Sequence, residues 1–165
     1  MLLLHLFVDI CLFRKGPQDV PDSRFLLGLV LALYLGVGTL LLTPDTGLAQ
    51  ALWQTALEAV MDLALVGGLL ATVGRLARFR QTVTALLATD ALVSALAMPP
   101  LQMLAGAGGK PLAALLWLAL LIWHIAIMAH ILRHALSQPI GIGVAVAVLY
   151  TTVLFQLMAF LFPTA

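Results

Sequence analysis

Five long apolar stretches, separated by segments too short to fold by themselves, leave this chain almost no choice of architecture. They fall at residues 25–42, 52–73, 82–104, 112–132 and 140–162. A crossing helix needs roughly 20 mostly apolar residues to span a hydrocarbon core of about 30 Å, and in lipid only helices and closed barrels satisfy their own backbone groups. The expected fold is therefore all-α, a polytopic membrane helical bundle of five transmembrane helices. Residues 1–24 are read as a short N-terminal interfacial helix with a cytoplasmic linker, and residues 25–165 as the transmembrane domain. Composition agrees: 63% of the 165 residues are hydrophobic and 9% charged, which demands lipid as solvent. The net charge of +1, from eight Lys+Arg against seven Asp+Glu, gives no basic surface for nucleic acid. The single cysteine, Cys11, excludes a disulfide within the chain and any zinc site built on thiolates.

The first 13 residues are nearly all apolar, yet Arg14 and Lys15 follow them and no small-residue cleavage site does. That order is the reverse of a secretory signal, so the segment is expected to be retained. At ~1.5 Å per residue it is too short to cross and should lie in the cytoplasmic interface or tuck against the bundle. Asp22 and Ser23 are candidate caps for the first span, Pro44-Asp45-Thr46-Gly47 a tight exit from it, and Ser137-Gln138-Pro139 the break between the fourth and fifth. Pro99-Pro100 should kink or end the third span, and residues 105–109, rich in glycine, should connect it to the fourth. With Asp90 and two prolines, that third span is the weakest of the five.

Cytoplasmic loops carry the excess of Lys and Arg. Alternate sides of the spans hold Arg14, Lys15, Arg24, Arg75, Arg78, Arg80 and Arg133 against Lys110 alone. The N-terminus is thus expected in the cytoplasm and the C-terminus in the periplasm, in a bacterial inner membrane. Trp53 and Trp117 fall near the outer ends, where indole rings favour the headgroup layer. The run Arg75 to Arg80 is read as setting topology. No internal repeat of the kind found in many secondary transporters is present.

Ionisable groups at membrane depth are the best candidates for function, because a charge in hydrocarbon costs several kcal/mol, about 2.5–3.5 on insertion scales. Glu58 and Asp62 share one face of the second span, Asp90 lies mid-way along the third and His124 along the fourth. They are expected to form an intramembrane polar track that relays protons, coordinates a cation, or simply holds helices together with Thr55, Thr89, Ser94 and Gln156. A second set lies near the cytoplasmic side: His5 and Asp9, and His130 and His134, each spaced i,i+4. Docking the first helix on the fourth span would gather three imidazoles and a carboxylate, a possible metal or haem site, although no cofactor is expected outright. Small residues recur every four positions at Gly28, Ala32 and Gly36, at Ala64 and Gly68, and at Gly143 and Ala147. These are expected helix-packing stripes, within the chain or in a homo-oligomer or partner subunit.

An N-terminal segment with Gly16-Pro17, five tightly linked spans, and a basic turn leading through Phe79-Arg80-Gln81-Thr82 into the third span resemble the layout of Yip1-domain membrane proteins. The resemblance implies a membrane scaffold or adaptor without enzymatic activity. No HExxH, GxSxG, P-loop or GxGxxG stands in a suitable context, which also argues against an enzyme. The expected function is a scaffold or accessory subunit of a membrane complex acting through helix contacts. The alternatives are a proton- or cation-conducting component and a haem- or metal-binding subunit.

Overall fold

The computed structural model describes residues 2–105 and 110–162. Helix α1 covers Leu2–Cys11, α2 Arg24–Thr46, α3 Leu48–Thr72, α4 Phe79–Ala105, α5 Lys110–Leu136 and α6 Ile140–Leu161. Helices α2 to α6 are long and apolar enough to cross a membrane, so the chain is an integral membrane protein with five spans. Among the described residues there is no strand. The glycine-rich connector expected after Ala105 lies, from Gly106 onward, outside the described residues.

Local chemistry sets the boundaries. The Ser23 hydroxyl accepts from the Leu26 N–H at 3.2 Å and caps α2, whereas Asp22 turns away to pair with Arg80. Gly47 alone joins α2 to α3, closing the first through its N–H on the Thr43 carbonyl. Its φ of 80° with ψ of 157° is a conformation open essentially to glycine. Helix α5 ends at Ser137, at φ 52°, where Gln138 N–H reaches the Arg133 carbonyl at 3.0 Å, and Pro139 opens α6.

The third span forms as expected, although its prolines do not end it. Its helix α4 runs through Pro99-Pro100 to Ala105 without ending. It is also the central element, packed on α1, α2, α3 and α5. Over half of its most apolar stretch, 56%, is buried, against 11–28% for the other spans. Residues 82–90 are buried without a break, so this part of α4 is walled by protein on every face. Thr82 donates its hydroxyl to the Arg78 carbonyl just before α4 and Thr89 donates to the Ala85 carbonyl within it, so both hydroxyls are satisfied in place.

The small-residue stripes divide. At Gly143 an added Cβ would lie 2.5 Å from the Ala129 carbonyl oxygen, and Ala147 is fully buried, so this stripe seats α6 on α5 as expected. The stripes Gly28, Ala32, Gly36 and Ala64, Gly68 are instead exposed on the outer surface, and nothing lies within 4 Å of a Cβ added at any of the three glycines. Among the described residues, nothing packs closely on these three glycines. The tight approach of α2 to α3 uses Gly38, where an added Cβ would meet the Thr55 methyl group at 2.5 Å.

Helix α1 tucks against α4 and α5. Phe7, Ile10 and Cys11 are buried there, and the Trp123 indole N–H donates to the Cys11 carbonyl at 3.0 Å. Gln81 holds the following segment by donating to the Val20 carbonyl at 2.8 Å. The basic run also makes specific contacts. Arg78 donates to the carbonyls of His134 and Ala135 at 3.2 and 3.3 Å, satisfying the open end of α5, while Arg80 and Asp22 form a forked ion pair. This fastened end is called the basic end below; Lys110 marks the opposite one.

Candidate functional site

Each span carries one or two polar side chains to a single layer. At ~1.5 Å per residue, Tyr34 of α2, Asp62 of α3, Asp90 of α4, His124 of α5 and Tyr150 of α6 all lie roughly 15–18 Å from the basic end of their own helix. Glu58 sits one turn further. The five helices thus converge their polar groups near the middle of a hydrocarbon core of about 30 Å.

Contacts within the layer are direct. The Tyr150 hydroxyl donates to Asp62 Oδ1 at 2.6 Å, linking α6 to α3. Tyr34 of α2 is buried in the same layer. His124 Nδ1 lies 3.5 Å from Asp90 Oδ1, joining α5 to α4. Asp62 is 3% exposed and Asp90 8%, so both carboxyls are buried within the bundle. Low local polarity strengthens such hydrogen bonds and makes any unpaired group costly. The partners expected from sequence behave differently: Thr55 and Thr89 bond backbone carbonyls of their own helices, Ser94 is half-buried one turn beyond Asp90, and Gln156 faces a separate groove between α5 and α6.

The layer is open toward one end. A cavity of about 690 Å³ between α2, α3 and α6 is lined by Asp45, Gln54, Glu58, Thr151, Phe155 and Met158, and leads from the end away from the basic face down to Glu58. Its wall carries enough polar groups, and its volume is ample, to hold water. Toward the basic end the layer is closed by Val66 and Leu70 of α3, Leu86 and Leu87 of α4, and Ile127 and Ile131 of α5, all at most 1% exposed. Cys11 of α1 sits against that closed side. Burial first, then the nearby Asp90 carboxyl, push its thiol up to about 11.

The second set does not gather in one place. Asp9 pairs with Arg14 and Lys15 at 3.9 and 3.8 Å. His130 Nε2 lies 2.9 Å from the Lys15 carbonyl, and its ring meets Phe13 and His134 edge-on. His5 lies on α1 and has an interaction of its own. Among the described residues no three of His, Cys, Asp and Glu are grouped to hold a metal ion. Docking of α1 on α5 occurs as the sequence allowed, but it is fixed by backbone carbonyls of residues 11 and 15.

Tyr34 and Tyr150 are the members that sequence reasoning missed. They are the only two tyrosines in the chain. Both stand mid-span, away from the interfacial belts where tyrosine is enriched, and that displacement was a readable signal. No protein family, curated protein or solved structure matches the chain.

Proposed function

We propose that this protein handles protons within the bilayer, taking them up at the Glu58–Asp62–Asp90 layer from the side on which the cavity opens. The observation that carries the reading is the convergence of all five spans on one polar layer with access from one end. Helix packing alone needs no such convergence, since hydrogen bonds between neighbouring pairs at any depth would serve. Buried carboxyls close to one another in such a layer form a coupled set that holds or releases a proton as a unit. Intramembrane acid and imidazole chains of this type mark proton relays. His124 beside Asp90 extends the set toward α5, and a small cation bound by the same oxygens is the variant of this reading.

The orientation that goes with it puts the basic end in the cytoplasm, from seven Lys and Arg on that side against Lys110 on the other, and the cavity mouth in the periplasm of a bacterial inner membrane. The layer is then loaded from outside. The test is proton flux into liposomes holding the purified chain, measured with an internal pH dye. Asp62→Asn and Asp90→Asn should each reduce flux at least tenfold while the circular dichroism spectrum is kept. Wild-type vesicles no leakier than empty ones would remove the reading.

A second reading, scaffold or accessory subunit, rests on the exposed stripes Gly28–Ala32–Gly36 and Ala64–Gly68, which are open to another helix, and is what a resemblance to Yip1-domain proteins would imply. Crosslinking through cysteines placed at Ala32 and Ala64 in native membranes separates the two. Specific crosslinks with no flux would favour the scaffold.

A further inference from the structure

The basic end holds an arrangement that the polar layer does not use. Arg75, Arg78 and Arg133 surround the turn that ends α5, and among the described residues none of them pairs with a carboxylate, whereas Arg14 and Lys15 share Asp9 and Arg80 has Asp22. We propose that this turn binds the phosphate group of an anionic membrane lipid. Three observations converge on that ligand. The Ser137 hydroxyl accepts from both Arg75 and Arg78, which leaves its own hydrogen to donate to an anion. The Nε of Arg133 is a buried donor without a partner, and no carboxylate among the described residues balances its guanidinium charge, which a phosphate would do. Beside it lies a cavity of about 410 Å³ lined by Arg133, His134, Ser137, Gln138, Pro139 and Ile140.

The shape of that cavity selects a lipid over free phosphate. Arg133 and Ser137 line its polar part, and its rim at Ile140 continues into Val144 and Val148, three exposed residues on one face of α6 at 47, 42 and 45%. A headgroup in the cavity therefore places its acyl chain along an apolar, open helix face. The one acidic residue acting on His134 is Asp19, and its carboxylate already accepts the Gly16 N–H at 2.8 Å.

The test uses the full chain released from mild detergent micelles and observed by native mass spectrometry, titrated with phosphatidylglycerol, phosphatidylcholine or inorganic phosphate. Phosphatidylglycerol should be retained in preference to phosphatidylcholine. Arg133→Gln should weaken it about fivefold, and adding Arg75→Gln about fivefold again, while Arg14→Gln on the same face leaves it unchanged. If Arg133→Gln does not fold, Arg133→Lys and Ser137→Ala serve in its place, the first keeping the charge and losing the Nε donor. Equal retention of phosphatidylcholine overturns the proposal, as does unaltered binding in all three substitutions at Arg133 and Ser137. Displacement of the lipid by millimolar inorganic phosphate overturns the lipid assignment in favour of a free-phosphate site.

Discussion

Replacing Tyr150 with phenylalanine removes one oxygen and nothing else, from a hydrogen bond of 2.6 Å between groups that are 7 and 3% exposed. In a soluble protein, stranding a buried acceptor costs about 1–3 kcal/mol. Between membrane helices the measured average is nearer ~0.6, with a maximum of ~1.7, because the unfolded chain in the membrane finds partners too. Between these two ranges, about 1 kcal/mol is the expected cost. For a chain of this length that corresponds to roughly 2–4 °C in the midpoint of thermal unfolding, read by circular dichroism in detergent. The stricter form is a double-mutant cycle with Asp62→Leu. Each single change strands a polar group, whereas the double variant strands neither, so the pair should be less damaging than the sum by about 1 kcal/mol. Additivity within about 0.5 kcal/mol would refute the claim that this bond ties α6 to the layer.

Three further outcomes follow from the packing. Gly143→Val drives a side chain into the Ala129 carbonyl and should cost about 1–3 kcal/mol in the same unfolding assay, while Gly28→Ala, with open space around it, should be neutral or mildly stabilising. Gly47→Ala forces a non-glycine residue to φ 80° and ψ 157° and should cost about 1–3 kcal/mol, whereas Gly68→Ala, on an open helix face, should not. Cys11, 3% exposed and with its thiol pushed up to about 11, should react with a maleimide at pH 8 on the order of a hundredfold more slowly in the folded protein than after unfolding in dodecyl sulfate. Equal rates in the two states would mean that α1 does not dock as described.

The spans were legible because their signal is length: each expected stretch lies within four residues of its helix ends, and the cap at Ser23 and the break at Ser137 carried their own turn chemistry. Helix α4 spans as expected, but its central place was not legible, for a physical reason. Hydropathy registers how well a helix suits lipid, and a helix enclosed by four others has no need to suit it, so Asp90 and the threonines at 82, 84 and 89 looked like weakness when they marked the centre. The acids and His124 were identified by the cost of burying them, but their partners were not, since a tyrosine is unremarkable in composition until its depth is considered. Gly28 and Gly143 show the limit of pattern reading: both head stripes of small residues at the same spacing, and only the neighbouring helix decides which one is covered. Contacts of the basic run with the end of α5 join residues 56–62 positions apart, beyond the reach of any local rule.

Access to the polar layer is the central claim, and thiol labelling from each side of the membrane tests it most directly. In a Cys11→Ala background, cysteines placed singly at Gln54, Glu58 and Leu86 are exposed to a membrane-impermeant cationic thiosulfonate, added to vesicles of known orientation. The cavity lining predicts that Gln54→Cys and Glu58→Cys label from the Lys110 side alone and that Leu86→Cys labels from neither. Labelling of Glu58→Cys from the basic end, or from neither side, would contradict the account.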